Sequence, residues 1–181
     1  KSYKDEIEGN GYTLNMNYSS SFPISFEVDV EIYDENFNIN DVGYLERNNI
    51  KRYQIDLKYK LINPFINQIR EIYLDLFHEK SVNYNNLALN NNIGFKSTLI
   101  SKKYNLVNFG YKISKESYDD YYTYDYELGL NGPPFLKPEL QISFIEFLST
   151  PRKKLSFYMG IESAKSFIND NLLKIKGSLV S

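Results

Sequence analysis

Strict alternation of apolar and polar residues is the feature that most constrains the fold of this chain. Successive side chains of a β-strand point to opposite faces, so an alternating segment predicts a strand with one apolar face. In "ISFEVDVEIYD" the apolar positions are Ile24, Phe26, Val28, Val30 and Ile32. In "YQIDLKYKL" they are Tyr53, Ile55, Leu57, Tyr59 and Leu61.

The same pattern returns in the second half of the chain, with turn residues between the alternating runs. Apolar residues alternate at Val107, Phe109, Tyr111 and Ile113; at Tyr122, Tyr124, Tyr126, Leu128 and Leu130; and at Leu155, Phe157, Met159 and Ile161. Several such strands predict a mainly β fold, an antiparallel β-sandwich or flattened barrel of about 8–10 strands. We expect the apolar faces to form its core.

The polar positions of the first two runs predict how these strands pair. Glu27, Asp29 and Glu31 are acidic, whereas Lys58 and Lys60 are basic. Opposite charges on adjacent strands stabilise a pair by about 0.2–1 kcal/mol. The two strands are therefore expected to lie side by side, antiparallel.

One segment, "NPFINQIREIYLDLFHEK", favours a helix over about residues 64–80. Asn63 is a plausible N-cap, Pro64 suits the first helical position, and the apolar residues other than Leu74 fall mainly on one helical face. An alternative remains, because Ile72, Leu74 and Leu76 also alternate as they would in a strand.

Length and composition limit the possible domain organisation and the possible binding partners. With 181 residues, the chain is predicted to form one β-rich domain over 12–181, preceded by the remnant of a tether over 1–11. The net charge of -2 argues against nucleic acid as a partner. With no cysteine there is neither a disulfide framework nor a thiolate metal site.

No residue pattern predicts catalysis, a metal or a cofactor. His78 is the only histidine, and a structural role near the end of the predicted helix is favoured over a catalytic one. The segment beginning "DENFNIND" resembles a calcium loop, but Ile39 and Leu45 stand where Gly and Glu are required. Close pairs of acids are typical of a solvated strand face. We therefore expect a protein that is not an enzyme.

The stretch "YDDYYTYDYELGL" is the candidate recognition surface. Exposed tyrosines beside acids are typical of interfaces, and alternation places Tyr124 on the buried face of this stretch. The candidate binding residues on its other face and in the preceding turn are Tyr118, Asp119, Asp120, Tyr121, Asp125 and Glu127. Tyr12, Tyr18 and Tyr158 are further tyrosines expected to be exposed.

The charged start "YKDEIEGNGYTLNMNY", the richness in Asn and Lys and the absence of cysteine resemble the mature part of a Borrelia outer-surface lipoprotein of the antigen S-two type. This resemblance implies a β-rich ectodomain without catalytic residues. It also implies attachment to the outer membrane, at the cell surface or facing the periplasm, through an amino-terminal lipid anchor that this chain lacks.

Three functions agree with these features. The first is a non-enzymatic surface lipoprotein that binds a host or envelope protein in adhesion or immune evasion. The second is a carrier of a lipid or a small apolar ligand. The third is an outer-membrane β-barrel, because alternation with aromatic residues also describes such proteins.

Overall fold

The computed structural model describes residues 9–20, 23–37, 48–120, 124–125, 130–131, 133–150, 156–166 and 171–180, with 124–125, 130–131 and 171–180 as backbone only. The described chain is mainly β and antiparallel, as predicted. Its thirteen strands are β1 Gly11–Ser19, β2 Ile24–Tyr33, β3 Ile50–Ile62, β4 Ile69–Val82, β5 Ala88–Ser101, β6 Leu106–Ser114, β7 Ser117–Asp119, β8 Tyr124–Asp125, β9 Leu130–Asn131, β10 Phe135–Lys137, β11 Leu140–Leu148, β12 Ser156–Ser166 and β13 Asn171–Val180.

Nine of these strands form one sheet in the order β1-β2-β3-β4-β5-β6-β11-β12-β13, and every neighbouring pair is antiparallel. The nine strands follow one another across the sheet in the same order as along the chain, with β11 after β6. The sheet is therefore a meander. The four remaining short strands form two separate pairs, β7 with β10 and β8 with β9. Both pairs belong to the connection between β6 and β11.

The connections lie at two opposite ends of the sheet. At one, which we call the turn end, residues 20–23, 63–68, 102–105 and 149–155 join the strands. At the other, the loop end, the connections are residues 34–49, 83–87, 115–139 and 167–170. The two longest connections, 34–49 and 115–139, are therefore both at the loop end.

The helix predicted over 64–80 is wrong, because β4 occupies most of that range. β4 pairs with β3 on one side and with β5 on the other. Asn63, the expected N-cap, instead has a left-handed φ of 53°, and its N–H donates to the carbonyl of Arg70 at 2.7 Å. The Asn-Pro pair thus closes a turn between two strands, and the alternation of Ile72, Leu74 and Leu76 was the correct interpretation.

The predicted pairing of β2 with β3 is confirmed. Glu31 lies opposite Arg52, and their side chains are 3.1 Å apart. Lys58 reaches Glu27 diagonally at 3.3 Å. Both ion pairs are partly exposed, so they contribute little to stability and mainly favour the observed register.

Candidate functional site

The nine-stranded sheet has two faces of opposite chemistry. The register places apolar side chains of neighbouring strands in continuous rows on one face, which we call the apolar face. One such row runs across six strands through Tyr18, Phe26, Leu57, Leu76, Phe95 and Tyr111. The polar face carries most of the charged and amide side chains, among them Glu27, Arg52, Asp56, Glu79, Asn92, Lys112, Glu146 and Glu162.

The apolar face is the exposed one. Ile55, Ile145 and Met159 are 50%, 52% and 55% exposed, respectively. In β3 the polar neighbours Gln54 and Asp56 are half-buried although the apolar residues between and beside them are exposed. The expectation that the apolar faces form a core is therefore wrong, since alternation defines the faces of a strand but not what covers them.

Little of the described chain forms a conventional core. Ile50 and Leu89 are its only buried apolar residues, each 5% exposed. The accessible surface is 13695 Å², whereas a compact monomer of 21.3 kDa exposes about 9,100 Å². The exposed apolar face of the described strands contributes to this excess.

Tyrosines border the aliphatic residues on the apolar face of two strands. In β1, Leu14 and Met16 lie between Tyr12 and Tyr18, and all four side chains are exposed. β3 repeats this order, with Ile55 and Leu57 between Tyr53 and Tyr59. In each strand the two tyrosines are six residues apart, or about 20 Å along the strand. Tyr12 and Tyr18 are thus exposed as predicted, within a band rather than singly.

Polar residues mark the boundary of the apolar face towards the loop end. His78 lies in the row of Ile55 and Ile93, and its Nε2 is 3.2 Å from Oδ1 of Asn91. Lys80 follows on the same face, one row nearer the loop end. The histidine is thus part of a strand, not of a helix terminus, and bonds an amide of the neighbouring strand.

A chain of hydrogen bonds crosses four strands on the polar face. Thr98 Oγ1 donates to Asn108 Oδ1 at 2.8 Å, and Asn108 Nδ2 donates to Glu146 Oε2 at 3.3 Å. The hydroxyl of Tyr158 donates to the other oxygen of Glu146 at 2.8 Å. This bond raises the pKa of Tyr158 because it favours the protonated phenol. Tyr158, which we expected to be exposed, is half-buried within this chain of bonds.

The turn end of the polar face contains a cavity of about 590 Å³. Its polar lining includes Ser25, Lys58, Lys60, Tyr73 and Asp75. The ammonium of Lys60 lies 5.1 Å from the centroid of the Tyr73 ring. The lining also includes the apolar residues Pro23, Ile24, Leu61 and Ile62, so the cavity has both polar and apolar walls.

The loop end of the polar face is more covered. Ser81 and Asn92 are buried there, and so is Ser117 at the start of β7, which packs against β5. Two long-range bonds hold the β7–β10 pair: Asn83 Nδ2 donates to Asp120 at 2.9 Å, and Lys137 Nζ donates to the carbonyl of Leu89, also at 2.9 Å. The long connection 115–139 is thus anchored beside β5.

Asp34 organises the start of the other long connection. The backbone N–H of Asn10 donates to Oδ2 of Asp34 at 2.6 Å, and the N–H of Asn36 donates to Oδ1 at 3.0 Å. These bonds, that of Asn10 foremost, lower the pKa of Asp34 because they favour its carboxylate. Asp34 therefore fixes the backbone where β2 passes into the connection 34–49.

The candidate recognition residues are only partly brought together. Tyr118 and Asp119 lie in β7, where Tyr118 faces Leu136 of β10, and Asp120 bonds Asn83. Tyr121 and Glu127 lie outside the described residues, as do the side chains of Asp125 and Tyr124. The hydrogen-bonded chain around Glu146 was missed, because its four residues lie on four different strands and only the register unites them.

The described residues contain no cluster of three metal-ligating side chains. In the same part of the chain, no helix is long and apolar enough to cross a membrane.

Comparison with known proteins gives one match. A protein-family model described as a domain of unknown function matches residues 1–178. No curated protein and no solved structure matches the chain. The likeness to spirochaete lipoproteins, the lipid anchor, the host or envelope partner and the absence of enzymatic activity stay predictions.

Proposed function

The chain belongs to the DUF5916 family, a domain of unknown function, and we propose that it crosses a bacterial outer membrane as an antiparallel sheet, the third function considered above. In this arrangement the apolar face contacts lipid. The polar face lines a water-filled interior through which small polar solutes pass.

The observation that carries the proposal is the inverted exposure of the two faces. In water, exposing rows of Ile, Leu, Phe and Met costs about 25 cal/mol for each Å² of apolar surface. In a bilayer the same surface is satisfied by acyl chains, and the cost disappears. Charged residues such as Asp56 and Glu146 then lie on the face that is turned away from lipid.

Strand length supports the same function. Each of the nine strands has between 9 and 14 residues, whereas strands of water-soluble proteins have about 5–6. A strand that crosses a membrane at a tilt needs about 9–11 residues. The two tyrosines that bound the aliphatic residues in β1 and β3 suit the two membrane–water interfaces.

The connections also fit this function. Membrane-spanning sheets of the outer membrane have short turns at the periplasmic side and longer loops outside the cell. We therefore assign the turn end to the periplasm and the loop end, with 34–49 and 115–139, to the cell exterior. Of the two architectures expected from the sequence, the closed sheet and not the two-layered sandwich is the one proposed.

The test uses tryptophan as a depth probe, because the chain has none of its own. Two single-tryptophan variants, Ile55→Trp and Gln54→Trp, place the indole on opposite faces of β3. Each variant is reconstituted into vesicles containing lipids brominated on the acyl chains, which quench indole fluorescence on contact. We expect strong quenching for Ile55→Trp and weak quenching for Gln54→Trp.

A third variant, Ile145→Trp, repeats the measurement on β11, far across the sheet. It should be quenched like Ile55→Trp. Equal quenching at positions 54 and 55, or a folded protein that stays in the aqueous phase after vesicles are pelleted, would rule out the membrane function.

A further inference from the structure

The nine-stranded sheet has an odd number of strands, which restricts how its edges are completed. Because every neighbouring pair is antiparallel, strand direction alternates from β1 to β13. The first and the ninth strand therefore run parallel to each other. A closed sheet that is antiparallel throughout has an even number of strands, so β1 and β13 cannot complete such a sheet by pairing with each other.

The edge of β1 needs a partner if the sheet lies in a membrane. Among the described residues β1 pairs with β2 alone. Its outer edge presents the backbone N–H and C=O groups of alternate residues along a strand of nine, and such groups find no water in the hydrocarbon region. The apolar side chains of β1, including Leu14 and Met16, are already on the same face as those of β2.

A second copy of the chain does not satisfy this edge. If two copies were inserted in the same direction, β1 of one would meet β13 of the other, and these strands would again be parallel. If one copy were inverted, two β1 strands would pair antiparallel. The loop end of one copy would then lie on the periplasmic side, against the orientation proposed above.

We propose that β1 and β13 are joined by an odd number of further strands from a polypeptide segment other than these nine strands, and that β1 binds the first of them antiparallel. This strand alternates in phase with Tyr12, Leu14, Met16 and Tyr18, so that its apolar residues extend the apolar face. The inference rests on the proposed membrane function and specifies the partner that completes it.

The test uses cysteine cross-linking, because the chain has no cysteine. Thr13→Cys and Asn17→Cys place a thiol near either end of β1, at exposed positions on the polar face. The probe is a synthetic peptide with the sequence of β2, Ile24–Tyr33. This sequence suits the purpose because β2 itself pairs antiparallel with the inner edge of β1. The peptide carries one added cysteine, at either its amino or its carboxyl terminus.

We expect the amino-terminal cysteine to cross-link Asn17→Cys about tenfold faster than Thr13→Cys, and the carboxyl-terminal cysteine to show the reverse preference, since pairing raises the effective concentration of the adjacent thiol. Lys112→Cys, on the polar face of β6 between two paired neighbours, is the control and should react at the rate of random collision. Loss of the end preference, or the same rate at position 112, would overturn the proposal.

Two further outcomes identify the competing arrangements. A short bifunctional reagent that links the thiols of Asn17→Cys and Ser178→Cys within one chain would indicate direct closure between β1 and β13. Oxidation of Asn17→Cys alone to a covalent dimer would indicate a second copy at this edge. Either result overturns the proposal while leaving the quenching of Ile55→Trp unchanged, so failure at the edge is distinct from failure of the membrane function.

Discussion

Two glycines on the polar face leave room for the aromatic ring of the residue opposite them on the neighbouring strand, so that the ring lies against the backbone. Phe77 is directly opposite Gly94, and Phe144 is directly opposite Gly110. A methyl group at Gly94 would meet the carbonyl oxygen of Tyr111 and lie 2.7 Å from Cζ of Phe77. These contacts are closer than atoms tolerate, so the absence of a side chain is required for pairing in the observed register.

Replacing Gly94 with alanine should therefore destabilise the protein. The loss of backbone freedom alone would favour alanine by about 0.5–1 kcal/mol, but overpacking against a carbonyl costs about 1–3 kcal/mol. We expect a net decrease in the free energy of unfolding, measured by urea titration in detergent micelles.

Gly160→Ala is the matched control for Gly94→Ala. A methyl group there would meet the hydroxyl of Tyr158 at 2.8 Å, the far end of a side chain that can move. The cost is then at most the hydrogen bond of this hydroxyl to Glu146, about 1.5 kcal/mol for a bond to a charged group, which the gain in backbone entropy partly offsets. If Gly160→Ala is as destabilising as Gly94→Ala, close backbone approach is not the cause.

At the scale of single residues, the sequence predicts which strands pair better than it predicts which side chains are exposed. The charges of β2 and β3 predicted that these strands pair, because both were identified from their own alternation, and the ion pairs Arg52–Glu31 and Lys58–Glu27 are what the pairing produces. The chain from Thr98 to Tyr158 was not predictable, since each of its bonds depends on the register of a different strand pair. Nor was the αL turn at Asn63, which offers the same Asn-Pro signal as a helix start.

At the scale of elements, pairing with neighbouring strands determines whether residues 69–82 form a helix or a strand, which the local sequence pattern left open. Residues 69–82 satisfy both helical and strand periodicity, and an isolated segment has no reason to prefer the strand. In the sheet, β4 bonds to β3 and β5 along almost its entire length. Every backbone group thus finds a partner outside the segment, which a prediction from this segment alone could not include.

The β7–β10 pair is an element held by few contacts, so its anchoring can be tested by one substitution. Lys137→Met preserves the length of the side chain but removes the bond to the carbonyl of Leu89. The loss of a hydrogen bond to a charged group, about 1.5 kcal/mol, corresponds to about a tenfold increase in local opening. We expect cleavage by chymotrypsin within 115–139 to accelerate by about this factor.

Lys115→Met controls for the loss of a positive charge from the same connection, because the Lys115 side chain is exposed. Its cleavage rate should equal that of the unmodified protein. An equal acceleration in both variants would indicate an effect of charge on the protease and not a released anchor.

At the scale of the whole molecule, alternation predicted an antiparallel β protein and correctly assigned the alternating apolar residues of β2, β3, β6 and β12 to one face of each strand. It did not predict the environment of each face. The inference from apolar to buried assumes that water surrounds the protein, and the same pattern describes a strand whose apolar side contacts lipid. Long strands, tyrosines at both limits of the apolar residues and unequal connections become informative only together, once all nine strands are aligned.

The environment of the apolar face is decided by placing a charge on it. In water, Ile55→Arg at a half-exposed position changes stability by about 0.5 kcal/mol or less. In a bilayer, an arginine on the lipid face near the midplane costs about 2–4 kcal/mol. Gln54→Arg, the neighbouring residue on the polar face, is the matched control, since its guanidinium can bond Asp56, the present partner of Gln54. We expect urea titration in vesicles to show a large loss of stability for Ile55→Arg alone. Equal small effects at positions 54 and 55 would indicate that the apolar face contacts water and not lipid.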